Sequence, residues 1–197
     1  LNYFTNKYTK KRKRKRSAGI AEEIIISFAF TVLVFLAISF FTFSFPQVKG
    51  YGMSGTLENN ERVIVYKYDK IKRFKLVYFN VPGKINSYSI RRVIGFPGEK
   101  IEFRNNKLFI NDREQVERFL ETKMDQENQE EIQLFTENFS LSQLDGSPTV
   151  VPEGKYLVLG DNRPYSSDSR YYGFVDKKEI IGVVMLKIVG LNQLERV

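Results

Sequence analysis

The chain has 197 residues, 42% of them hydrophobic, which suffices for one domain and its appendages. It contains neither histidine nor cysteine, which excludes Ser-His-Asp and Cys-His catalysis, disulfide frameworks and most zinc sites, so no metal or cofactor is expected. The formal charge of +8 suggests nucleic acid until it is located: eight of the 31 basic residues lie within residues 1–16, leaving 23 against 23 acidic ones, so no nucleic-acid partner is expected.

The chain opens on Leu1 rather than Met, as expected of a sequence whose true start lies upstream or is non-standard. Lys7 and the unbroken run Lys10 to Arg16 form a basic tail without an acidic residue. From Ile24 to Phe45 there follow 22 residues without a charge. As a helix they reach roughly 33 Å, against a hydrocarbon core of about 30 Å. A cleaved signal peptide would be shorter, with a small-x-small site just beyond it. The triplet Ala37-Ile38-Ser39 lies inside the apolar run, which ends in Phe45-Pro46. A permanent single-pass anchor in the cell membrane over residues 23–45 is therefore expected. The basic tail, residues 1–22, stays in the cytoplasm against anionic membrane lipid, and the domain over residues 46–197 lies outside the cell.

Beyond Pro46 short β-rich runs alternate with turn residues. Residues 62–66, 76–79, 107–110, 155–159 and 180–185 read as strands. Asn111-Asp112, Pro82-Gly83, Pro97-Gly98 and Asp145-Gly146 read as turns. The polar stretch from Gln115 to Gln133 reads as a surface excursion or short helix, within an insertion over about residues 104–150. The expected fold is mainly β: one N-terminal transmembrane helix followed by an antiparallel β domain of about 150 residues.

Three stretches carry chemistry. Gly50-Tyr51-Gly52-Met53-Ser54-Gly55-Thr56-Leu57 follows the apolar run, Arg91-Arg92-Val93-Ile94-Gly95-Phe96-Pro97-Gly98-Glu99 comes next, and Gly160-Asp161-Asn162-Arg163-Pro164-Tyr165-Ser166-Ser167-Asp168-Ser169-Arg170 is third. In order, spacing and position after an anchor they resemble the type I signal peptidases (S26), membrane-bound Ser/Lys proteases that remove signal peptides. The resemblance implies G-x-S-M-x-P-T-L, K-R-x-x-G-x-P-G-[DE] and G-D-N-R-x-x-S-x-D-S-R. It places Gly52 where the family has its nucleophilic serine and Arg91 where it has the lysine base. Glycine has no side chain with which to attack, and a guanidinium stays protonated and accepts no proton. Gly55 also replaces the family's proline.

Ser54 is the fallback nucleophile. Read as a strand, its position returns it to the face of residue 52 but about 6.6 Å further on. Lys84, in the loop after Pro82-Gly83, is the nearest candidate base. Arg92, Asp161, Asp168 and Arg170 match the family's site framework and are expected to form an ion-pair network that holds the fold. Ser166 resembles the hydroxyl that orients the family's lysine, and here it is expected to bond the backbone or Arg91. Arg91 itself is expected to pair with a carboxylate such as Asp168 or to turn out to water. Asn60-Glu61 and Phe74-Lys75 stand where the family often has Gly-Asp. Strands 62–66 and 76–79 are expected to keep the family's groove for an extended peptide.

The resemblance implies a degenerate, catalytically inactive member of Gram-positive type, similar to the signal-peptidase-like proteins of pilus assembly. Its clients would be secreted or membrane-tethered peptides, pilin or sortase among them. The alternative is an active signal peptidase with its nucleophile relocated to Ser54.

Overall fold

A computed structural model describes residues 2–120, 136–190 and 193–197. It divides into two units, Leu1–Thr42 and Phe43–Val197. The first is one helix, α1 (Asn2–Thr42), whose last 21 residues, Glu22–Thr42, contain an 18-residue window with a mean hydropathy of 2.7. Phe28, Phe35 and Phe40 on it are exposed. The apolar run continues to Phe45 in the sequence, but the helix stops three residues earlier. Phe43 and Ser44 instead pair with Tyr66 and Val65 as the first strand, β1 (Phe43–Ser44). Pro46 favours extended backbone in the residue before it, and ladder hydrogen bonds replace the helical ones.

The second unit is antiparallel β throughout its pairings. Its further strands are β2 (Arg62–Tyr66), β3 (Leu76–Asn80), β4 (Tyr88–Gly95), β5 (Ile101–Arg104), β6 (Lys107–Ile110) and β7 (Arg113–Gln115). They continue as β8 (Phe139–Ser140), β9 (Lys155–Leu159), β10 (Val175–Asp176), β11 (Ile180–Val189) and β12 (Gln193–Arg196), with a short helix, α2 (Ser169–Tyr172), between β9 and β10. All five runs read as strands form, the last continuing to Val189. The larger sheet has the order β1-β2-β11-β3-β4-β9-β10, with β12 on β11, and the smaller is β7-β6-β5-β8. The smaller sheet begins at Ile101, ahead of the insertion boundary expected near residue 104. Residues 121–135, most of the polar excursion, lie outside the described residues.

Alternation along the strands sends side chains to different cores. On β9, Leu157 and Leu159 join Ile94, Ile101, Phe103 and Leu108 between the sheets, while Val158 joins Val77, Phe79 and Val183 on the other face. A third cluster, Val48, Met53, Leu57, Val63, Val65, Leu76 and Ile90, fixes the segment after β1 against β2 and the first half of β4. Burying side chains of this size contributes about 1.5–3 kcal/mol each. This packing brings residues 50–57 and β4 together.

Candidate functional site

Residues 51–57 are successive turns rather than a strand: the amides of Ser54 and Thr56 donate to the carbonyls of Tyr51 and Met53 at 3.1 and 3.0 Å. Period-2 reasoning about Ser54 therefore does not apply to it. Buried Met53 and Leu57 anchor the turns, and Gly52 faces inward. A β-carbon on Gly52 would lie 3.0 Å from Arg91 Nη2 and 3.1 Å from Ser166 Oγ. The three positions that the resemblance singled out thus meet in space. Arg91 comes from β4 and Ser166 from the loop after β9. That loop is tied back by the Asn162 amide, which donates to the Gly52 carbonyl at 3.1 Å, and by its side-chain amide, which donates to the Tyr51 carbonyl at 3.0 Å. Gly160 is required for the approach, because a β-carbon there would come within 2.4 Å of the Gly52 carbonyl oxygen and 2.0 Å of Ser166 Oγ.

Arg91 neither pairs directly with a carboxylate nor turns out to water, contrary to expectation. It is 8% exposed, and its guanidinium donates to backbone: Nε and Nη2 to the Ser167 carbonyl at 3.1 and 2.8 Å, and Nη1 to the Ile90 carbonyl at 2.6 Å. Burial lowers its pKa, with Tyr172, Asp168 and Asp161 pulling the other way. Burial likewise pushes the Tyr172 hydroxyl well above the usual phenol range, and Arg91 opposes it. The Ser166 hydroxyl bonds neither the backbone nor Arg91. It is buried without a hydrogen-bond partner among the described residues, as is the Tyr172 hydroxyl.

The aspartates are occupied by other arginines. Arg92 grips Asp161 with two donors, Nε to Oδ1 at 2.8 Å and Nη2 to Oδ2 at 2.5 Å, and the Thr56 hydroxyl adds a third bond at 2.5 Å. Arg92 Nη1 donates to the Phe74 carbonyl at 2.6 Å, and the guanidinium lies 4.1 Å from the Phe119 ring centroid. Asp168 caps α2 and pairs with Arg170 at 2.9 Å, while its other oxygen accepts from the Gly160 amide at 3.0 Å. The two positions where the sequence departs from Gly-Asp, Asn60 and Phe74, have positive φ of 71° and 64°. Phe74 holds this conformation, which costs a bulky residue about 1–2 kcal/mol, while its ring packs on Phe119.

Arg163 is a framework residue that the sequence reading did not single out. It is buried, pairs with Glu117, and donates to the Thr136 hydroxyl at 2.8 Å and the Gly160 carbonyl at 2.9 Å. Glu117 belongs to the stretch read as a surface excursion, yet its side chain is 8% exposed. The signal available was the arginine of Gly160-Asp161-Asn162-Arg163, whose partner lies 46 residues away. Lys84 is exposed and lies outside the residues that line the cavity below. No group of three or more His, Cys, Asp or Glu side chains among the described residues has the placement of a metal site.

A cavity of about 340 Å³ ends on Arg91. Its walls are residues 46–50 and 86–91 with Met53 and Tyr78, so strands 62–66 and 76–79 contribute to it only through Tyr78. In the larger sheet β11 lies between β2 and β3, and the cavity lies beside the first half of β4.

The family model described as "Signal peptidase, peptidase S26" matches residues 21–189. Signal peptidase IB of Staphylococcus aureus is 34% identical over 169 residues, covering 84% of this chain and 87% of the relative. Signal peptidase I V of Bacillus subtilis is 36% identical over 142 residues, 70% of this chain and 81% of the relative. The crystal structure of a signal peptidase I from Enterococcus faecalis, 39% identical, superposes with a TM-score of 0.52 over 58% of this chain and 97% of that one.

Proposed function

The chain belongs to the type I signal peptidase family, peptidase S26, and on that premise we propose that it is a non-cleaving member that holds a client peptide in its groove. One observation carries the reading: where residues 52, 91 and 166 meet, there is no nucleophilic side chain at 52, and the cation at 91 is a guanidinium already bonded to carbonyls. Acyl transfer by this family's route needs a hydroxyl and a neutral base in contact, and arginine supplies no base. The framework around Asp161 and Asp168 persists because it is structural: each buried carboxylate satisfies a buried guanidinium and backbone or hydroxyl donors.

The client we assign is a secreted or membrane-tethered peptide, with pilin or sortase as the specific case, by analogy with the signal-peptidase-like proteins of pilus assembly. The apolar helix and its basic N-terminal flank support a single-pass placement, tail in the cytoplasm and β unit outside. A peptide-cleavage assay on the full chain tests the first part: turnover that disappears in Ser54→Ala overturns it in favour of a relocated active peptidase. Site-specific crosslinking from Ser89 in cells tests the second, and recovery of neither pilin nor sortase overturns the assembly role.

A further inference from the structure

The cavity that ends on Arg91 carries charge of one sign. Its charged lining residues are Lys49 and Arg91, and no carboxylate lines it. Asp161 and Asp168 already act on Arg91 as counter-charges, and its guanidinium is bonded to carbonyls. Lys49 differs on each count: it is exposed and makes no ion pair among the described residues.

The backbone that carries Lys49 is nonetheless fixed on both sides. The Val48 amide donates to the Glu61 carbonyl at 2.7 Å, the Val48 carbonyl accepts from the Asn60 amide at 2.9 Å, and the Gly50 amide donates to Asn59 Oδ1 at 2.9 Å. Gln47 forms an antiparallel bridge with Arg62, and Val48, 3% exposed, packs with Met53 and Leu57. Alternation from this bridge turns the next side chain the other way, so Lys49 stands at the mouth of the cavity while Val48 helps to close its floor. A clamped origin and a flexible four-carbon stem keep the ammonium at the groove and free to meet a charge.

The other wall of the groove admits a peptide. From Tyr88 to Arg91, β4 pairs only with β3, since its pairing with β9 begins at Arg92. An extended segment added along that edge presents alternate side chains to the floor and to the mouth. Floor-facing side chains meet Val48, Met53 and Ile90, each at most 4% exposed, and mouth-facing ones come within reach of Lys49. An acidic side chain at the mouth is attracted, a basic one is repelled, and no lining carboxylate offsets either effect.

We propose that Lys49 selects the client by charge: the groove takes an extended segment with an acidic side chain at the mouth and apolar neighbours that face Val48, Met53 and Ile90. This rests on the client-binding reading and deepens it, by naming the class of peptide that the groove prefers.

The test uses the full chain in detergent micelles, immobilised, and three decapeptide pools capped at both ends. Each pool has Ala, Ser, Thr or Val at random, with Glu, Gln or Lys fixed at one central position. At low salt the Glu pool is retained about two- to fivefold more than the Gln pool, and the Lys pool less by a similar factor, as one exposed ion pair allows. Lys49→Ala brings the three pools together, and Lys49→Glu reverses their order. Lys49 is exposed, so neither variant disturbs the core, and Lys84→Ala, in a loop outside the cavity, leaves the order unchanged. Equal retention of the three pools by the unmodified chain overturns the charge selection and leaves client binding standing, whereas retention of none overturns both. An order that survives Lys49→Ala overturns Lys49 as its source and assigns the preference to the basic tail.

Discussion

Asp161→Ala is the sharpest perturbation of the site framework. Asp161 is fully buried, and its partner Arg92 is 7% exposed. The substitution strands a guanidinium that keeps only the Phe74 carbonyl and the Phe119 ring, and it leaves the Thr56 hydroxyl without its acceptor. Removing one side of a buried pair costs about 3–5 kcal/mol, whereas replacing both with apolar groups of similar size is close to neutral. With a urea m-value of about 2 kcal/mol per M, the midpoint falls by about 1.5–2.5 M. Asp161→Leu with Arg92→Met recovers more than half of that. Tyrosine fluorescence of the full chain in detergent micelles reads the transition, since the chain has 11 tyrosines and no tryptophan. A single substitution costing under about 1 kcal/mol, or a double variant no more stable than the single one, refutes the claim that this network holds the fold.

Gly52→Ser with Arg91→Lys is expected to gain detectable peptide cleavage that neither single variant has. The serine alone is crowded by Arg91 Nη2 and the lysine alone has no nucleophile, and Ser54→Ala in the double background leaves the rate unchanged. Gly160→Ala forces a β-carbon against the Gly52 carbonyl oxygen, so thermal denaturation should show a loss of about 3 kcal/mol, or roughly 6–12 °C. At the surface, the hydrogen bond and charge of Lys100 hold the Asp112 carboxyl below its ordinary pKa. That contribution is present above the unfolded pKa and lost as pH falls through the lower folded one. Both groups are exposed, so Lys100→Ala should leave the neutral-pH urea midpoint unmoved within error and raise the Asp112 pKa in an NMR titration.

Local chemistry was legible in the sequence wherever a letter determines backbone. Asn111 and Asp112 both have positive φ, 49° and 62°, in the hairpin between β6 and β7, and Gly83, Gly98 and Gly146 take the left-handed turns expected of them. The strand runs were legible because β-branched and aromatic residues cluster between those turns. The partners of Arg91 were not, because backbone carbonyls stand at Ile90 and Ser167 whatever residues occupy those positions. Phe74 at φ 64° carries no local signal either, since its conformation is imposed by the Arg92 and Phe119 contacts around it. The Arg163–Glu117 pair joins two stretches that look polar in isolation, and only their meeting over Phe103 makes them interior. Sequence order does not reveal that β11 separates β2 from β3, because that pairing joins segments more than 100 residues apart.

That interposed strand governs how the β unit is made. β2 and β3 are synthesised early, but each has β11 as an antiparallel neighbour, and β11 is also the strand on which β12 pairs. The large sheet therefore stays unzipped along its middle until nearly all of the β unit has been synthesised. Closing so distant a contact late makes folding slow and exposes unpaired strand edges in the meantime. A chain stalled before Ile180 presents β2 and β3 as open templates to quality-control proteases, so completion of β11 sets the moment at which the protein becomes resistant to them.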